Sequence, residues 1–300
     1  VTALRAAGVT GLGAHRPVRR DDNLAIAARI DSSDEWIRER SGIVTRGVAG
    51  ADESVVSMSI GAASKALAAA GVDPATVDLV LLATCSLPGK LPGGSPAVAA
   101  GIGAMRAGAT DLNAACAGFA YGLQLAADSV RAGTSDTVVV IGAEKLTDYT
   151  DPEDRGTAFI FGDGAGAAVV QVRPDGVDTI GPVVWQHDGD NAHLLTISSD
   201  GPGRPEYIHM DGRGIYRWAT GALPQIARDA CAKAGIAPED LKAFVPHQAN
   251  LRITQSAVKA LKLPDSVIIA QDITESGNTS AASVPLALAR LHEQGAISTG

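Results

Sequence analysis

Residues 63–85, ASKALAAAGVDPATVDLVLLATC, are echoed by residues 227–250, ARDACAKAGIAPEDLKAFVPHQAN. Each stretch begins with an Ala-rich helical pattern ended by Gly71 or Gly235, turns through Pro74 or Pro238, and enters an apolar strand. The echo continues beyond both strands. In the first copy, a helix around 97–105 and a short strand into Leu112 lead to NAACAGFAYGLQLAADSV, a small-residue helix opening at Cys116. In the second, a helix over 253–261 and the run VIIA lead to GNTSAASVPLALARL, whose helix opens near Asn278. Helix, turn and strand pieces occur in any α/β chain; here the order and the polar endings match as well, which predicts one unit used twice. On this reading Asn278 occupies the position equivalent to Cys116.

Two further segments, TVVVIG (137–142) and AGAAVVQV (165–172), are apolar throughout and predict buried strands. Pro174, Gly176, Gly181 and Pro182 then mark a crossing, and 189–214 reads as a turn-rich excursion. The expected division is 1–172 and 173–300, two halves fused into one layered α/β body. FGDGAGAAVV (161–170) precedes a strand, whereas a dinucleotide loop follows one, so it is read as a tight turn feeding the core.

The 300 residues are 46% apolar and 19% charged, enough to build a large core, and the net charge of -8 argues against nonspecific nucleic-acid binding. No run of 18 apolar residues predicts a membrane span, and no secretory signal pattern opens the chain. Cys85, Cys116 and Cys231 form neither a CxxC pair nor a disulfide framework, and there is no HExxH, so the expectation is a cytoplasmic protein without a metal centre.

Cys116 is the sharpest chemical signal. It follows DLNAA and opens a helix, where unpaired N–H groups and the helix dipole favour a thiolate, among alanines and a glycine that leave room for an acyl group. A packed core cysteine is the alternative. His247 ends the strand AFVP, placing an imidazole where it can accept a proton or stabilise an oxyanion, and Asn278 offers an amide N–H at a helix mouth. A capped loop histidine and a simple N-cap are their structural alternatives. A Cys, His and Asn set also fits a thiol protease, but His and Asn on separate loops favour acyl transfer over peptide hydrolysis. Trp36 and Arg40 lie one helical turn apart, suited either to an adenine ring or to a core aromatic with a surface ion pair.

With these residues in hand, the sequence resembles the β-ketoacyl-acyl-carrier-protein synthases III, initiating condensing enzymes of the thiolase-like superfamily. The resemblance rests on DSSDEWIRERSGI (31–43), DLNAACAGFAYGL (111–123), DRGTAFIFGDGAGAAVV (154–170), VPHQANLRI (245–253) and SGNTSAASVPLAL (276–288). It implies a five-layered αβαβα fold of two duplicated halves, a homodimer, and Cys116, His247 and Asn278 as catalytic residues. It further implies that Trp36, Arg40 and Arg155 flank the nucleotide of coenzyme A, that Gly212 and Asn250 lie along the pantetheine tunnel, and that Arg252 and Lys259 receive the carrier protein. The implied reaction joins a short acyl-CoA to malonyl-acyl carrier protein, with coenzyme A thioester as substrate and no separate cofactor. A polyketide-priming ketosynthase or an acyltransferase of the same superfamily is the alternative. The family's last strand and glycine-rich loop have no counterpart in LHEQGAISTG (291–300), and the glycine-rich stretch 85–98 departs from the commoner pattern, with Leu91 a candidate for the acyl pocket.

Overall fold

The computed structural model describes residues 4–89, 91–199 and 201–299. Its first elements are β1 (Ala7–His15), β2 (Arg20–Asp22), α1 (Asn23–Ala27), α2 (Asp34–Ser41), β3 (Thr45–Gly47) and α3 (Val55–Ala70). They are followed by β4 (Leu79–Ala83), α4 (Ser95–Gly101), β5 (Gly108–Leu112), α5 (Gly118–Arg131), β6 (Thr137–Lys145) and β7 (Asp163–Val172). Next come β8 (Leu195–Ser199), β9 (Glu206–Met210), α6 (Gly212–Ala234), β10 (Ala243–Phe244) and α7 (Leu251–Leu261). The last are β11 (Ile268–Ile269), α8 (Ile273–Ser276) and α9 (Ser283–Glu293).

Both helix–turn–strand units are present. α3 and α6 end on left-handed glycines, Gly71 (φ 66°) and Gly235 (φ 69°), followed by short 3-10 turns at Pro74–Thr76 and Pro238–Asp240 that feed β4 and β10. Glycine suits these caps because a Cβ disfavours the left-handed region. The expected helix at 97–105 is shorter, Ser95–Gly101, because Gly103 turns left-handed at φ 86°. The excursion at 189–214 contains the β8–β9 hairpin, and Gly212 already belongs to α6.

A five-stranded sheet in the order β1-β7-β6-β4-β5 forms the centre, with β4 parallel to β5 and β6, and β7 antiparallel to β1 and β6. Its inner strands are apolar on both faces because helices cover both. One face packs on α3 and α4 through Met58, Ala62, Ala66, Val80, Leu82, Val139 and Ile141; the other packs on α5 through Phe119, Ala126, Leu81, Val138 and Val140. α9 joins that second side, with Leu286 fully buried and Ala282 and Ala289 against Ala14 of β1. The 3-10 turn before α9 is thereby brought against β6, and α9 packs through Ala287 and Leu291 on the parallel pair of β10 and β11. Among the described residues, the second half contributes only these two-stranded pairings.

Candidate active site

The turns before α5 and α9 are copies of one another. Ala115–Cys116–Ala117 and Ser280–Ala281–Ala282 are each a 3-10 turn whose first residue is left-handed, Ala115 at φ 45° and Ser280 at φ 44°. Such φ values are uncommon for residues with a Cβ and point to a backbone fixed by its surroundings. In both turns an asparagine two residues upstream accepts from the strained residue's N–H: Asn113 Oδ1 from Ala115 at 3.4 Å, and Asn278 Oδ1 from Ser280 at 2.9 Å. The repeat therefore equates Asn278 with Asn113 and Cys116 with Ala281. This corrects the sequence-based equivalence of Asn278 with Cys116: the copies align by their asparagines, not by their polar residues at the helix mouth.

Cys116 is half-buried, two residues before the first turn of α5, and this helix lacks a side-chain N-cap. Burial pushes its thiol pKa up, but the adjacent charge of His247 and hydrogen bonds from His247 and Ser280 outweigh burial and carry it below its usual value. Burial pulls the His247 pKa down, while the charge of Cys116 and their hydrogen bond raise it overall. Both shifts act in the direction that favours a thiolate–imidazolium pair. The other imidazole nitrogen, Nδ1, lies 2.6 Å from Ser283 Oγ, which also accepts the Gln248 N–H at 3.3 Å, so the first turn of α9 fixes the ring. In the imidazolium, Nδ1–H donates to Ser283 and the second N–H is left for the sulfur.

Asn278 is held by its backbone, which pairs with Ile160 (2.8 Å) and Gly162 (3.0 Å), so the loop feeding β7 carries it. Its Oδ1 is occupied by Ser280, and its amide NH₂ has no hydrogen-bond partner among the described residues.

A carboxylate not singled out from the sequence lies beside this site. Glu144, near the end of β6, is fully buried and accepts from Thr84 Oγ1 (3.1 Å), Cys85 N–H (3.1 Å), Cys85 Sγ (3.3 Å), Ser86 Oγ (2.5 Å) and Ala281 N–H (3.4 Å). Burial raises its pKa, opposed by hydrogen bonds from Ser86, Cys85 and Ser280. Next to it Cys85 packs with Leu146, Phe161 and Ile208 in an apolar cluster. Leu91 does not line this cluster; it is 91% exposed on the loop before α4.

Two cations approach Trp36, with the Arg40 and Arg155 guanidinium carbons 4.5 and 5.1 Å from its ring centroid and Phe159 edge-on at 5.3 Å. Asn250 caps α7 by accepting from Arg252 N–H and donates through Nδ2 to the Arg40 carbonyl at 2.9 Å, joining the start of α7 to the end of α2. That approach requires Gly42, which is left-handed at φ 80° and whose added Cβ would collide with Leu251. Gly212 opens α6, capped by Asp211, and one helical turn on, the Tyr216 ring lies 5.1 Å beneath the Arg252 guanidinium. Arg252 and Lys259 are both exposed on α7. The structure thus gathers two groups: Cys116 with His247 beside the Asn278 turn, and Trp36, Arg40 and Arg155 with Asn250 alongside.

A cysteine beside a histidine, at the opening of a helix in a duplicated α/β body, is an arrangement that suits a condensing acyltransferase of the thiolase-like fold. The chain belongs to the β-ketoacyl-[acyl-carrier-protein] synthase III family. The family description "3-oxoacyl-[acyl-carrier-protein] synthase III" matches residues 110–189, and its C-terminal counterpart matches 231–300. A β-ketoacyl-[acyl-carrier-protein] synthase III of Streptomyces coelicolor is 45% identical, covering 98% of this chain and 90% of its own length. The mycobacterial form from Mycobacterium avium is 42% identical over 98% of this chain and 89% of its own. Among solved structures, the priming β-ketosynthase of the R1128 polyketide pathway superposes with a TM-score of 0.96 at 44% identity, covering 99% of this chain and 90% of that one. The 3-oxoacyl-[acyl-carrier-protein] synthase III of Aquifex aeolicus gives 0.91 at 36% identity, over 98% and 92%.

Proposed function

We propose that this chain condenses a short-chain acyl-CoA with malonyl-acyl carrier protein through an acyl-Cys116 intermediate. The pairing of Cys116 with His247 at the mouth of α5, each favouring the charged form of the other, carries this reading. Cys116 attacks the acyl-CoA carbonyl, coenzyme A leaves as its thiol with a proton available from His247, and the acyl group remains as a thioester. The backbone N–H of Cys116, in the middle of its turn, donates to the oxyanion. Malonyl-acyl carrier protein then enters, and the free amide of Asn278 and an N–H of His247 stabilise the enolate oxygen as CO2 departs. The resulting carbanion attacks the acyl-Cys116 carbonyl, and the sulfur leaves as thiolate.

Trp36, Arg40 and Arg155 flank the adenine, and the two guanidinium charges also meet the phosphates. Asn250 and Gly212 flank the pantetheine arm, and Arg252 with Lys259 receives the acidic carrier protein. We assign the site no metal ion and no resident cofactor; coenzyme A thioester is the substrate. The open edge of β5, beside an apolar groove of 320 Å³ lined by residues including Pro96, Ala104, Met105 and Ala109, supports a homodimer built on that edge. The three cysteines are unbridged, which fits a reducing cytoplasm, and no helix among the described residues is long and apolar enough to cross a membrane. A second reading, starter-unit condensation in a polyketide pathway, is favoured by the TM-score of 0.96 to a priming ketosynthase and uses the same residues.

Incubation with a panel of acyl-CoAs followed by malonyl-acyl carrier protein tests the reading. β-Ketoacyl-carrier protein formed with loss of the Cys116 adduct supports it; an adduct that persists after malonyl-acyl carrier protein is added contradicts it.

A further inference from the structure

Among the described residues, two groups lie within hydrogen-bond reach of the Ser283 hydroxyl: the Gln248 N–H at 3.3 Å and His247 Nδ1 at 2.6 Å. The Gln248 N–H can only donate, and the loop that carries it is pinned by its own buried side chain. Gln248 donates through Nε2 to the Pro246 carbonyl at 2.8 Å and accepts the Ile273 N–H through Oε1 at 3.2 Å. Ser283 itself is fully buried in the first turn of α9. Its hydroxyl proton therefore has one acceptor, the lone pair of Nδ1. A neutral imidazole that accepts at Nδ1 carries its proton on Nε2. The opposite tautomer aims two N–H donors at one oxygen and strands the hydroxyl proton in the interior.

We propose that Ser283 is a positioning residue that sets the tautomer of His247, donating to Nδ1 of the neutral ring and holding its N–H at Nε2. With Nδ1 taken, Nε2 is the nitrogen left for the reacting groups. The proposal rests on His247 acting as a donor to the enolate oxygen in the decarboxylative stage. Cys116 is the titratable group that faces this ring, and acylation removes its charge. Once coenzyme A has left with one proton, the imidazolium has become neutral, and Ser283 holds the remaining proton on Nε2. Two consequences follow for the acyl-enzyme. An Nε2–H group is ready for the enolate oxygen, and Nε2 has no lone pair with which to take a proton from water. The other tautomer reverses both: its bare Nε2 takes a proton from water, whose hydroxide attacks the acyl-Cys116 carbonyl and releases the free acid and the thiol. Ser283 thus keeps the histidine a donor for condensation and withholds a base for hydrolysis.

The tautomer is read directly by ¹⁵N NMR of histidine-labelled Cys116→Ala, above neutral pH, with the His247 signals assigned against the Cys116→Ala/His247→Ala chain. A protonated Nε2 with an unprotonated, hydrogen-bonded Nδ1 is the expected result, and a protonated Nδ1 on the neutral ring overturns the proposal. With the thiol intact, Ser283→Ala lowers kcat for malonyl-acyl carrier protein decarboxylation about 10-fold to 100-fold with little change in KM, the worth of a lost buried hydrogen bond. It also raises the yield of free acid relative to β-ketoacyl-carrier protein from pre-acylated Cys116. Ser283→Thr keeps a hydroxyl and restores both the rate and the product ratio. A wild-type product ratio in Ser283→Ala, or equal losses in Ser283→Ala and Ser283→Thr with unchanged melting curves, overturns the proposal. The NMR result decides the tautomer even where a Ser283 variant fails to fold. An Nε2–H tautomer in a wild type that neither acylates nor decarboxylates overturns the proposed function and leaves the Ser283 assignment standing.

Discussion

Gly142 on β6 offers the most demanding test of how the two duplicated turns are held together. A Cβ added there would lie 2.7 Å from the Ala281 carbonyl carbon and 3.2 Å from Ala282 Cα, and closer still to the Ala281 oxygen. All of these neighbours are backbone, which cannot rotate away. Ordinary contact begins at 3.4 Å, so Gly142→Ala pushes the Asn278–Ala282 turn back by about 1 Å, a misplacement that can cost on the order of 100-fold in rate. Overpacking adds about 1–3 kcal/mol of destabilisation, a melting-point loss of a few degrees. The assay is decarboxylation of malonyl-carrier protein by the purified variant, beside Gly101→Ala, whose new methyl meets the side chain of Ile60 instead. Gly142→Ala loses decarboxylation far beyond its loss of stability, while Gly101→Ala loses stability without it. Decarboxylation within twofold of wild type in a folded Gly142→Ala refutes the claim that this close approach sets the site.

Further outcomes follow from the same geometry. The Cys116 pKa is lowered and that of His247 raised, so the thiolate persists as pH falls below the usual thiol range; His247→Ala shifts the alkylation profile of Cys116 upward, and an unmoved profile counts against the ion pair. Trp36→Ala removes the ring that both guanidinium groups approach, raising KM for acyl-CoA about 5-fold to 30-fold with little change in kcat; a fall confined to kcat contradicts the clamp. Leu286→Ala leaves a cavity between α9 and the sheet and costs about 2–5 kcal/mol in denaturant unfolding, and a loss below 1 kcal/mol would mean that α9 does not complete the core.

Much of this architecture is legible in the residues themselves. Gly71 and Gly235, followed by Pro74 and Pro238, mark the two units because helix termination and proline turns are local events, and both lie where the pattern places them. Cys116 stands out in the sequence because a nucleophile at a helix mouth would need small neighbours, which DLNAACAG supplies, and the structure sets it beside His247. The register between the copies was not: it is fixed by the matching Asn113 and Asn278 turns and the strained backbones of Ala115 and Ser280, which no side-chain pattern displays. Glu144 was missed because it follows the strand TVVVIGA and reads as a strand end reaching water. Its signal was a charge attached without a turn residue to a run apolar on both faces. The structure buries it because Thr84, Cys85, Ser86 and Ala281, distant in sequence, supply donors.

Intact-protein mass spectrometry with peptide mapping tests the central claim most directly: the chain is mixed with acyl-CoAs, then with malonyl-acyl carrier protein, beside Cys116→Ala. The account predicts one acyl group on the Cys116 peptide, absent in Cys116→Ala, and its disappearance as β-ketoacyl-carrier protein forms. A stable acyl adduct on Cys116→Ala, or product formed without acylation of Cys116, contradicts it.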